Sequence, residues 1–103
     1  MTNDQFRLIA AKAEVPPVVT ATGDIDLANV DKFEDVLARA AADSTSITVD
    51  LTSVTYCDSA AVRALFSAAA SAKLALIVPA RGPITTLLGI SGLDRVATVT
   101  VVD

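Results

Sequence analysis

Apolar positions along the chain fall into two spacings, and the switch between them predicts the elements. Phe6 to Ala11 and Val18 to Ala21 are strand-like runs separated by the corner Glu14-Val15-Pro16-Pro17, because Pro17 cannot donate to a ladder and the β-branched run starts after it. Gly23 is expected to end the second run. Asn29 then offers a side-chain cap to a helix whose apolar residues Val30, Phe33, Leu37, Ala40 and Ala41 recur at helical spacing, with Asp31, Lys32, Glu34, Asp35 and Arg39 on its wet face. Ile47 to Leu51 is a short β-branched run, and Leu74 to Val78 is apolar without alternation, the pattern of a strand covered on both faces. Between them Val62, Leu65, Phe66 and Ala69 stand at i, i+3, i+4 and i+7, so Ser59 to Ala72 reads as the crossover helix of a βαβ unit. Pro83 to Leu88 opens as a short helix on a proline, Gly89 and Gly92 terminate it, and Thr98 to Val102 is a last strand.

The order β, β, α, β, α, β, α, β describes a single α/β domain over residues 1–103: a mixed, mostly parallel sheet of four to five strands with about three helices. A length of 103 residues suits one core and not two. The apolar fraction of 52% is rich in Ala and Val, which predicts closely approaching elements. The alanine clusters Ala40 to Ala42 and Ala68 to Ala70 read as close-packing helix faces.

Composition removes more functions than it suggests. The longest stretch without a charged residue, Gly82 to Leu93, falls short of the roughly 20 apolar residues of a spanning helix. The opening residues MTNDQFRL do not read as a secretory signal, so a cytoplasmic protein is expected. A net charge of −4 with basic residues scattered singly argues against nucleic acid as the partner. The chain has no histidine and one cysteine, Cys57, which excludes Ser-His-Asp and Cys-His catalysis, an internal disulfide and a cysteine-built metal site. No cofactor is expected, and nothing resembles a Walker-type phosphate loop.

One segment, Asp50 to Leu65 (DLTSVTYCDSAAVRAL), concentrates the candidate chemistry. Ser59 precedes the periodic residues of the crossover helix, where an N-cap accepts from helix amides. The turn after a strand's carboxyl end is also where open α/β sheets expose functional groups. A phosphate on Ser59 would add about −1.5 to −2 charges at a helix N-terminus, a position that tolerates an anion. Thr52, Ser53 and Thr55 are read as loop hydroxyls without that position, Tyr56 as packing, Cys57 as a small buried hydrophobe rather than a redox sensor, and Arg63 as a solvated charge. Asp24-x-Asp26 as a Mg²⁺ site, and Asp50 as a phosphoacceptor, lack the companion residues such sites need.

The same segment resembles the signature of STAS domains, and specifically of bacterial anti-sigma factor antagonists: a strand-end Asp-Leu, an aromatic, then Asp-Ser-Ser-Gly and a helix. Gly23-Asp24-Ile25-Asp26 is similar to the family's Gly-Glu-Leu-Asp before its first helix, and Ile90-Ser91-Gly92-Leu93 to its late Ser-Gly-Leu. The resemblance implies a protein without enzymatic activity that regulates transcription. Unmodified, it binds an anti-sigma factor, often itself a serine kinase, and frees a sigma factor; phosphorylation of the serine blocks binding. Residue by residue, Ser59 matches the phosphorylated serine, Asp58 the acid before it, and Asp24 and Asp26 acidic positions near the partner-facing end of the sheet. The expected docking residues are Asp24, Asp26, Asn29, Asp58, Ser59, Ala60, Val62 and Arg63. Ala60 and Ala61 stand where Ser and Gly are usual, and the C-terminal helix common in the family is expected to be absent after the last strand. The alternative is a STAS-type sensing or scaffold module of a larger assembly or transporter tail, without a phosphoswitch. The oligomeric state is left open, with the last strand as a candidate self-association edge.

Overall fold

A computed structural model describes residues 5–42 and 44–102; the first four residues of the opening stretch read for a signal, and the terminal Asp103, lie outside them. The elements run β1 (Phe6–Ile9), β2 (Val18–Ile25), α1 (Val30–Ala42), β3 (Ser46–Cys57), α2 (Ser59–Ser71), β4 (Lys73–Pro79), α3 (Pro83–Ser91), a short 3-10 turn (Leu93–Arg95) and β5 (Ala97–Val102). The five strands lie side by side in chain order, with β1 antiparallel to β2 and every later pair parallel.

Sequential parallel strands joined by right-handed crossovers put their helices on one face. Burial follows from that. In β4 the residues Leu74, Leu76 and Val78 are buried, whereas Ala75 and Ile77 between them are only half-buried. The apolar run therefore does not mark a strand covered on both faces; one face meets the helices and the other is open. Val19 and Ala21 of β2 and Ile47, Val49 and Leu51 of β3 join the same core. Phe33, fully buried on α1, anchors it, with its ring 5.2 Å from that of Phe6. Burying side chains of this size stabilises by about 2 kcal/mol each.

Four departures from the sequence expectation bear on the site and the core. β1 stops at Ile9 rather than Ala11. Gly23 does not end β2: the strand passes through it at φ +71° to Ile25, and the pairing with β3 shifts register on either side. That irregularity re-aims the strand end, and only glycine takes the conformation without strain. β3 runs well past Leu51 to Cys57, so Thr52, Ser53 and Thr55 sit in a strand rather than a loop. In α3, Gly89 lies within the helix, and Gly92, left-handed at φ +80°, ends it.

Candidate functional site

Two turns meet at the carboxyl ends of β2 and β3. Ile25 pairs with Cys57 and Asp24 with Tyr56, and the Asp58 amide donates to the Ile25 carbonyl at 3.1 Å. The β2–α1 turn and the start of α2 are thus tied together by main chain, and Asp24, Asp26, Asp58 and Ser59 share one end of the sheet.

The cap of α2 is Asp58, not Ser59. Asp58 has extended backbone, and its Oδ1 accepts from the amides of Ala60 at 2.9 Å and Ala61 at 3.4 Å. Ser59 is the first helical residue, and its side chain is exposed. With the amides of Ala60 and Ala61 already satisfied by the Asp58 carboxylate, the Ser59 hydroxyl is not needed as the cap. It makes no hydrogen bond among the described residues. Ala61 needs no glycine-like freedom, because Ala60 and Ala61 are ordinary helical residues donating to Asp58.

The other turn is organised by Asn29, again not in the expected way. Its side chain faces backward into the turn: Oδ1 accepts from the Asp26 amide at 3.0 Å, while Nδ2 donates to the Asp24 carbonyl at 2.8 Å and to Gln5 Oε1 at 3.2 Å. Gln5 Nε2 donates to the same Asp24 carbonyl. Asp26 Oδ1 accepts from the Ala28 amide at 2.9 Å, and Asp24 Oδ1 from the Thr55 hydroxyl at 2.7 Å. The two carboxylates are thus separately engaged, and no group of three or more possible metal ligands occurs among the described residues.

Of the expected docking residues, Asp24, Ser59 and Arg63 are exposed, Asp26, Asn29, Asp58 and Ala60 are half-buried, and Val62 is buried. Val62 is therefore not a surface contact: three residues after Ser59, it turns inward with the helix's apolar stripe. Two residues missed as contacts stand out in their place, Leu27 at 78% exposed and Tyr56 at 50%. Tyr56 is not packed away as expected. The signal for Leu27 was a large apolar residue inside an acidic turn, outside any periodic run.

Cys57 is half-buried, and burial followed by the neighbouring Asp58 charge pushes its thiol up to about 11. Such a thiol stays protonated at neutral pH, which suits the small-hydrophobe reading.

Comparison with known proteins bears on the fold and the family. Among solved structures the chain is similar to an anti-sigma factor antagonist from Mycobacterium paratuberculosis, 20% identical over 95% of this chain and 87% of that one, with a TM-score of 0.78. It is also similar to the anti-sigma factor antagonist SpoIIAA in its unphosphorylated form (16% identical, 95% and 89% covered, TM-score 0.64). A third is the Bacillus cell fate determinant SpoIIAA in its phosphorylated form (18% identical, 95% and 91% covered, TM-score 0.65). At these identities the likeness is one of fold. No curated protein sequence matches the chain. A family model described as "Mlab, STAS domain" matches residues 9–102, and with nearly the whole chain inside that match, the protein belongs to the STAS domain family.

Proposed function

We propose that the protein is a bacterial anti-sigma factor antagonist, cytoplasmic and without catalytic activity, that docks an anti-sigma factor and is switched off by phosphorylation of Ser59. The observation that carries the reading is the division of labour at the start of α2: Asp58 holds the cap, and Ser59 presents an exposed hydroxyl with no bond to lose. A phosphate added there leaves the helix cap in place, so the fold survives while the acidic docking surface becomes more negative. The modified serine would stand beside Asp58, with Asp24 at the end of the adjoining strand, and that concentrated negative charge would repel an acidic partner surface. Exposed Leu27 and Tyr56 supply the apolar contacts such an interface needs at its centre. The whole chain acts as one STAS domain in this reading. Among the described residues no helix is long and apolar enough to cross a membrane.

The experiment is to incubate the protein with ATP and candidate anti-sigma kinases of its source organism, map phosphate by mass spectrometry, and titrate each partner against wild type and Ser59→Asp. Phosphate on Ser59 and at least tenfold weaker binding of Ser59→Asp are expected. No phosphate at Ser59, together with equal binding of both proteins, overturns the switch.

A second reading has one observation in its favour. Leu27 and Ile90 are each 78% exposed, and a permanent partner would cover them. In that case the domain is a scaffold module of a larger assembly and Ser59 is a plain surface residue. The same titration separates the two, because a scaffold binds its partner whatever the charge at Ser59.

A further inference from the structure

The two edges of the sheet are treated differently. β1 is four residues long and carries the exposed charge of Arg7. β5 is six residues, Ala-Thr-Val-Thr-Val-Val, with no charge, proline or glycine, and among the described residues it pairs on one side only, with β4. Proteins usually blunt such an edge with a lysine, a proline or a bulge, since its free amides and carbonyls template another strand.

The Val102 carbonyl faces inward, accepting from the Ala80 amide at 2.8 Å. Successive residues of a strand turn their main-chain groups to opposite sides, so Thr98 and Thr100 also face β4. Ala97, Val99 and Val101 therefore present their amides and carbonyls to the open edge. Side chains alternate as well: Val99 and Val101 lie in register with Leu76 and Val78 on the helix-bearing face, and Thr98 and Thr100 lie on the other.

We propose that β5 pairs antiparallel with β5 of a second copy about a two-fold axis at Val99, making one continuous sheet across two protomers. That register satisfies every outward main-chain group of Ala97, Val99 and Val101. It sets Val99 against its own copy, Ala97 against Val101, and Thr98 against Thr100. Each row meets a row of its own kind, and a Thr–Thr pair is a favourable cross-strand neighbour. Val101, now 53% exposed, gains a cover. A second copy fits this edge better than a charged peptide, because the strand offers no ionic group for recognition and juxtaposes no like charges with itself. The contact is isologous and closes at two chains, since β1 lies at the far edge of each sheet. It lies away from Ser59 and is independent of the proposed switch.

Sedimentation equilibrium from micromolar to millimolar protein tests this, with added salt to screen the net charge of −4 on each chain. The expected result is a rise from one chain mass to two and no further. Val101→Pro removes an amide hydrogen that faces solvent, so the fold keeps its ladder with β4 while the new pairing is blocked. The double variant Thr98→Lys with Thr100→Lys sets lysine against lysine across the axis. Both variants, with circular dichroism unchanged, are expected to stay at one chain mass at every concentration. A wild-type mass of one chain throughout, growth beyond two chains, or a dimer that persists in both folded variants overturns the proposal.

Discussion

Asp58 Oδ1 sits 2.9 Å from the Ala60 amide, and the residue between them, Ser59, takes no part in the cap. The cap and the exposed hydroxyl thereby fall to adjacent side chains, which is what the proposed switch requires. Asp58→Ala should destabilise the domain by about 1 kcal/mol, the usual cost of losing an N-cap. Ser59→Ala should change stability by less than about 0.5 kcal/mol, as for an exposed side chain without a partner. Urea denaturation of the two variants checks the order, and a Ser59→Ala variant as unstable as Asp58→Ala would return the cap to the serine.

That order could not be read from the sequence. Asp and Ser are equally good caps, and they stand one residue apart before the same apolar stripe. The choice was made by β3, which runs on to Cys57 and hands the chain over with Asp58 still extended, its amide held by Ile25. What was legible was what periodicity controls: the stripe of α2, the parallel strands on either side of it, and the end of the sheet on which Asp24 and Ser59 lie. What was not legible depended on contacts between distant segments. Asn29 looks like a cap in isolation, but Gln5 and the Asp24 carbonyl draw its side chain back. Gly23 looks like a terminator, but neighbouring strands continue the ladder through it. Leu74 to Val78 looks doubly covered because the open face of the sheet carries Ala75 and Ile77, apolar residues that alternation normally makes polar.

Three glycines should respond to alanine with opposite signs. Gly23 at φ +71° and Gly92 at φ +80° occupy conformations that cost an L residue roughly 1–2 kcal/mol. Space is not the obstacle, since a Cβ on Gly23 would meet only Gln5 Nε2 at 3.8 Å, and one on Gly92 nothing within 4 Å. Gly89, exposed within α3 and with nothing within 4 Å of a new Cβ, should gain about 0.5–1 kcal/mol from alanine. Thermal unfolding of the three variants reads the signs directly.

Cys57 makes a pH prediction. Its thiol rises from 9.0 to about 11 on folding, so between those values the unfolded chain has released a proton that the folded one retains. By linkage the contribution to stability is complete below pH 9 and falls as pH rises from about 9 towards 11. Cys57→Ser should remove this part of the alkaline slope of the unfolding free energy. At neutral pH, alkylation of native wild type by iodoacetamide should be far slower than that of the urea-unfolded chain, and equal rates would contradict the burial.

Leu27 tests whether the β2–α1 turn belongs to the docking surface. At 78% exposed it contributes little to the core, so Leu27→Ala should leave stability within about 0.5 kcal/mol of wild type. The backbone of the turn is held by Asn29 and Asp26 rather than by the leucine, so its shape should also persist. Leu27 being a central contact of the proposed interface, its truncation is expected to cost about 1 kcal/mol of binding, about a fivefold loss. Calorimetric titration of the anti-sigma partner should therefore show weaker binding with unchanged unfolding. Tyr56→Ala should weaken binding in the same way if both side chains enter one patch, because Asp24 beside Leu27's turn pairs in register with Tyr56. Combining the two should then cost less than the sum of the singles, since neighbours in one interface are not additive. Unchanged affinity in both single variants would move the partner off this end of the sheet and leave Ser59 without an interface to regulate.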